Sequence, residues 1–136
     1  MAEFRMTHRV RYRECDPMGV VYHTHYLDWF EEARTEALRE AGLPYSELEE
    51  DGFIMPVVDL AVKYRQPVRY DDLVEIRTHL RDEVPRMRLR IDYEVFHGDS
   101  LCVTAHVTLC FVDVRRSRPI PAPDRVQQAF RALLHD

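Results

Sequence analysis

The hydrophobic period of this chain changes twice, and few folds accommodate the order in which it does so. Over residues 4–12 the even positions Phe4, Met6, His8, Val10 and Tyr12 alternate with Arg5, Thr7, Arg9 and Arg11, the two-residue period of a strand with one buried face. From Tyr26 the spacing lengthens to three and four through Trp29, Phe30, Ala33, Ala37, Leu38 and Ala41, which predicts an amphipathic helix. Gly42 suits its C-terminal cap, Pro44 prevents its continuation, and Thr24 or a neighbour caps its start. A short helical turn is expected over residues 45–49.

Alternation then returns four times, around Val58 to Tyr64, Val74 to Leu80, Met87 to Val95 and Leu101 to about Val114. Gln66-Pro67 and Tyr70-Asp71-Asp72 break the first two of these apart, and His97-Gly98-Asp99-Ser100 reads as a tight turn between the last two. Pro119, Pro121 and Pro123 are expected to end regular structure, and Asp124 to cap a terminal helix carrying Val126, Ala129, Phe130, Leu133 and Leu134. The connections after the long helix are too short for crossover helices, so the strands pair mainly antiparallel. The expectation is an α+β fold in one domain over residues 1–136. A five-stranded antiparallel sheet wraps around one long helix, followed by a short C-terminal helix.

A chain of 136 residues buries roughly two thirds of its unfolded surface, enough for a core of its own. Its net charge of -5 argues against nucleic acid as a partner. Cys15, Cys102 and Cys110 form no CxxC pair and are odd in number, which suits a reducing cytoplasm. The N-terminus has no apolar signal region, and no run approaches the ~18 apolar residues of a membrane span, so a cytoplasmic protein without a membrane segment is expected.

The connection between the first strand and the helix holds an acid, a glycine and a histidine: Asp16, Gly19 and His23. A carboxylate beside free N–H groups at a helix N-terminus can activate water while those groups receive charge on a carbonyl oxygen. The same residues also make an ordinary Asp-Pro-x-Gly turn, and spacing alone leaves both readings open. Adjacent residues on an extended chain point to opposite faces, so a cleft-facing Asp16 turns Cys15 away from the chemistry. His23-x-His25 with Asp16 would be only half a metal site, no further spaced ligand accompanies it nearby, and no metal is expected. There is no GxSxG, P-loop or GxGxxG. Arg86, Arg88 and Arg90, the cluster Arg115, Arg116 and Arg118, and Lys63 with Arg65 are each either solvated faces or phosphate contacts. Glu31 and Arg34 are spaced for an ion pair on the helix.

The run Cys15-Asp16-Pro17-Met18-Gly19-Val20-Val21-Tyr22-His23, Tyr26, and Glu31-Glu32-Ala33-Arg34-Thr35-Glu36 resemble the active-site loop and helix of the hotdog-fold acyl-CoA thioesterases. The likeness is to the 4-hydroxybenzoyl-CoA thioesterase type, including the thioesterase associated with the Tol-Pal system. The order of elements after Gly42 agrees as well. The resemblance implies hydrolysis of an acyl-CoA to a carboxylic acid and free coenzyme A. Asp16 would act as nucleophile or general base and the backbone N–H at His23 as the oxyanion donor. The His23 side chain matches one branch of the family, whereas Cys15-Asp16-Pro17 is similar to the other.

Gly19, Val20, Tyr22, Thr24 and Tyr26, with Val57 and Asp59, are expected to line the substrate, and Lys63, Arg65, Arg86 and Arg88 to meet the coenzyme A phosphates. Coenzyme A enters as part of the substrate and no other cofactor is implied. The fold further implies a homodimer or homotetramer, with sheets joined edge to edge and each active site at a subunit interface. Two other readings stay open: a hotdog hydratase or dehydratase acting on an enoyl thioester, and an acyl-CoA-binding module without turnover.

Overall fold

The computed structural model describes residues 2–135. Strand β1 (Ala2–Arg9) leads into a single 3-10 turn (Tyr12–Glu14), and the long helix α1 (His25–Glu40) follows after a loop. A one-and-a-half-turn helix α2 (Tyr45–Glu50) and a two-residue strand β2 (Phe53–Ile54) precede the main run of strands: β3 (Val57–Tyr64), β4 (Leu73–Leu80), β5 (Arg88–His97) and β6 (Ser100–Asp113). A short β7 (Arg118–Ile120) and the terminal helix α3 (Asp124–His135) complete the chain.

Every pairing is antiparallel, and the five long strands lie in the order β1-β4-β5-β6-β3. At 14 residues β6 outruns its neighbours, and its far end is completed by β2 on one side and β7 on the other. The prolines at 119–123 predict an end to regular structure there. Three residues around Pro119 pair instead, at the sheet's margin, where a missing N–H is tolerated.

One face of the sheet carries Phe4, Met6, Ile76, Thr78, Ile91, Tyr93, Val107 and Leu109, and α1 lies across it. The helix buries Tyr26, Trp29, Phe30, Ala33, Ala37 and Leu38, the stripe its period foretells. Phe30 stacks on Tyr93 at 4.7 Å. Its C-terminus ends in the expected glycine cap: Gly42 takes φ +84 and Leu43 N–H donates to the Leu38 carbonyl at 2.7 Å. Thr24 stands at the N-cap without a side-chain capping bond. Arg34 donates to the Tyr93 hydroxyl, and no ion pair joins it to Glu31 among the described residues.

Two elements depart from the alternation. The first strand was expected to reach Tyr12 with that ring buried, yet it ends at Arg9 and Tyr12 is 80% exposed. The chain turns at residue 12 because Glu14, not Tyr12, goes inside. Strand β3 was read as having one buried face, yet it is exposed along nearly its whole length, with Val57, Val58, Leu60 and Tyr64 each at 40–48%. Among the described residues its only partner is β6, and its other edge is open.

Candidate active site

Residues 15–21 form a small hairpin. Cys15 bridges Val21, Asp16 N–H donates to the Val20 carbonyl at 2.9 Å, and Gly19 N–H returns to the Asp16 carbonyl at 2.9 Å. Gly19 takes φ +79, a conformation that favours glycine. Within this turn Asp16 Oδ1 accepts from the N–H of Met18 at 2.9 Å and of Val20 at 3.4 Å. Asp16 Oδ2 accepts no hydrogen bond among the described residues. One oxygen of Asp16 therefore builds the turn, and the other is without a partner among the described residues.

Asp16 lines a cleft of about 410 Å³ together with Val20, Val21, Tyr22, His23, Tyr26, Tyr64, Arg65, Gln66 and Pro67. The hairpin is fastened to the segment after β3 by the bridge between Val20 and Arg69 and by Val21 N–H donating to the Val68 carbonyl at 2.8 Å. The opposite side of the cleft is the entry to α1. There the N–H of His23 meets no acceptor among the described residues, while its carbonyl accepts from the Tyr64 hydroxyl at 2.9 Å. An unsatisfied N–H at a helix entry is a ready donor to a developing negative charge.

Burial pushes the Tyr26 phenol up to about 12, so it stays protonated at neutral pH. Tyr64 is raised by burial as well. Burial first, and then the carboxylates of Glu14 and Asp16, raise the Cys15 thiol, the opposite of what a thiolate nucleophile needs. Cys15 packs against the core, away from the cleft. His25 turns to Asp28, 3.5 Å from Nδ1, and does not join His23.

Behind the hairpin lies a buried carboxylate that no spacing in the sequence singles out. Glu14 is only 7% exposed. Its Oε1 accepts from Arg11 N–H at 2.7 Å and lies 2.8 Å from His8 Nε2, and its Oε2 accepts from the Trp29 indole N–H at 2.6 Å. Its own carbonyl accepts from Tyr22 N–H at 2.9 Å. Burial pushes its carboxyl up, but the Arg11 N–H, His8 and Trp29 outweigh this and hold it below the usual carboxylate range. Glu14 is therefore ionised at neutral pH and acts as an acceptor only, so His8 Nε2 carries the hydrogen between them.

Of the expected site residues, the cleft gathers Asp16, Val20, Tyr22, His23, Tyr26 and Arg65. Gly19 and Thr24 stand beside it in the same loop. Val57 and Asp59 lie at the other end of β3, roughly 15–25 Å away at the rise of a strand, and Asp59 faces His106 at 3.6 Å. Lys63 borders a separate recess with Arg90, Asp92 and His106. Arg88 opens β5 opposite Cys110, and Arg86 precedes it, at the end of the sheet far from the cleft. Tyr64, Gln66 and Pro67 were read only as a strand residue and two strand breakers, because nothing local shows that residues 65–69 come back against the hairpin. A larger recess of about 680 Å³ opens on the sheet's outer face near His79, Arg81, Asp92 and Glu94. Within it His79 pairs with Glu94 at 2.7 Å and Arg81 with Asp92 at 3.4 Å.

An antiparallel sheet curled on one long helix is the hotdog fold of thioesterases. The chain belongs to the thioesterase-like superfamily, whose family model matches residues 10–130. It is 33% identical to the acyl-CoA thioesterase YbgC of Haemophilus influenzae over 126 residues, covering 92% of both chains. It is 29% identical to the 1,4-dihydroxy-2-naphthoyl-CoA hydrolase of Synechococcus elongatus, over 93% of this chain and 94% of that one. Among solved structures, the DHNA-CoA thioesterase of Staphylococcus aureus superposes with a TM-score of 0.90 at 29% identity, covering 99% of this chain and 93% of the other.

Proposed function

We propose that this chain hydrolyses acyl-CoA thioesters at the Asp16 cleft. The observation that carries the reading is the division of labour within one carboxylate: Oδ1 is anchored by two backbone N–H groups and Oδ2 is unengaged among the described residues, in a cleft bounded by a helix entry. Asp16 as general base takes a proton from water, whose oxygen adds to the thioester carbonyl carbon. The resulting oxyanion is received by the His23 N–H, and collapse breaks the C–S bond to release the thiolate and the acid. A thiol of pKa near ~8.5 leaves readily as its anion, so one carboxylate and one oxyanion donor suffice. Such a donor contributes roughly 2.7–4 kcal/mol to the transition state. Attack by Asp16 itself, through an anhydride that water then opens, uses the same residues.

The functional unit in this reading is a pair of chains joined along β3. The open edge and exposed apolar residues of β3 call for a partner strand. Antiparallel pairing of β3 with its copy, end matched to end, lays the second chain's residues 57–59 beside the first chain's residues 62–64. Val57 and Asp59, remote from the cleft of their own chain, then border the cleft of the partner.

Thiol release from a panel of short, long and hydroxyaromatic acyl-CoA esters tests the assignment. Asp16→Asn should lower turnover of the best substrate at least about a hundredfold with the fold intact, on the scale of losing a general base. Turnover by Asp16→Asn at the parent rate would overturn it.

A further inference from the structure

We infer that Glu14 is a positioning residue of the hydrolytic site, holding Asp16 and the His23 N–H in register through a buried network with His8, Arg11 and Trp29. The inference rests on the reading of Asp16 as the catalytic carboxylate. A buried charge is costly, and losing any one partner leaves it uncompensated. Here the charge has three donors from three parts of the chain: His8 on β1, the Arg11 N–H at the 3-10 turn, and Trp29 one turn into α1.

The network lies where it can fix the geometry. Glu14 is two residues before Asp16, and its carbonyl accepts from Tyr22, the residue before His23. Its main chain therefore holds the two arms of the hairpin together, while its side chain bolts the first arm to β1 and to the helix that follows the second. The distance between the acid and the helix entry is set by these bonds. The bond from Tyr64 to the His23 carbonyl restrains the same point from the β3 side. A hydrolytic site loses rate when its groups are misplaced by about an ångström, even when substrate still binds. Trp29 is 1% exposed and His8 packs against its ring at 4.7 Å, so the network has no slack to absorb a change.

Two near-isosteric variants test this. In Glu14→Gln the amide end would face a donor, either Trp29 or the pair His8 and Arg11, and one of these bonds is lost. Trp29→Phe removes a single donor and keeps most of the ring. Glu14→Gln is expected to lower kcat about tenfold or more with KM within about twofold, and Trp29→Phe to lower kcat about threefold, the split that marks an interaction realised in the transition state. Combining them should add little to Glu14→Gln alone, since both break one network. A purely structural role would instead lower the melting midpoint and leave kcat per folded chain at the parent value, and that result overturns the inference. A loss confined to KM overturns it as well. Should Glu14→Gln not fold, Trp29→Phe and His8→Gln decide by the same split. Asp16→Asn is the control. If it is inactive while the folded network variants keep the parent kcat, only the role of Glu14 falls. If it turns over normally, the site assignment falls and the role of Glu14 with it.

Discussion

Asp16 Oδ1 is gripped by the N–H groups of Met18 and Val20, so its carboxylate can rotate only by breaking both bonds. In the proposed hydrolysis, a carboxylate held in this way would need no reorganisation at the moment of attack. Gly19 makes the grip possible through its positive φ, and an added Cβ there meets open space, so Gly19→Ala tests backbone strain alone. Chemical denaturation should show a loss of about 1–2 kcal/mol. Cys15, half-buried and with its thiol raised, is expected to be dispensable: Cys15→Ala should keep kcat within about twofold in the thiol-release assay. Glu14 gives stability a pH dependence whose sign follows from its depressed carboxyl. Its stabilisation is complete above the carboxyl's ordinary range and is lost as pH falls through the lower folded value. Urea midpoints measured from pH 7 down to pH 3 should therefore fall less steeply for Glu14→Gln than for the parent.

At the scale of elements, α1 shows how far alternation and spacing carry. Its bounds, its Gly42 cap and its buried stripe were all legible, because a half-buried helix must repeat every three or four residues. Ala33 and Ala37 are the small residues on which its approach to the sheet depends. Ala37→Leu should cost about 1–3 kcal/mol by overpacking, read as a lower denaturant midpoint at unchanged slope.

Strand β3 shows where such reasoning stops. Val58, Leu60, Val62 and Tyr64 alternate as cleanly as any core strand, yet at the sheet edge Val62 alone of the four is even half-buried. Strand order is a non-local property. The same holds for the candidate site: Asp16, Gly19 and His23 could be found because they share one connection, whereas Tyr64, Gln66 and Pro67 arrive from 41 or more residues away. Leu60→Lys, placed on the open edge, should shift the chain toward monomer in sedimentation and lower turnover per chain in parallel.

Over the whole molecule, the core runs unbroken from α1 across the sheet to α3, where Val126 and Phe130 are buried. No helix of the described residues is long and apolar enough to cross a membrane. The cleft is built from the loop before α1 and the segment after β3, two places joined by the core and by few direct bonds. Phe130→Ala, far along the chain from either, should cost about 3–5 kcal/mol and melt the structure as one unit.

Trp29 is the chain's sole tryptophan, and its indole is tied to Glu14 and covered by His8. Intrinsic fluorescence from this protein is thus a signal from directly behind the hairpin, free of any other emitter of its kind. A red shift or a change in quenching reports the opening of that hydrogen bond, whether denaturant, acid or an arriving thioester causes it. Secondary structure followed by circular dichroism reports the sheet. Any interval between the two curves measures how much sooner the hairpin lets go than the fold does.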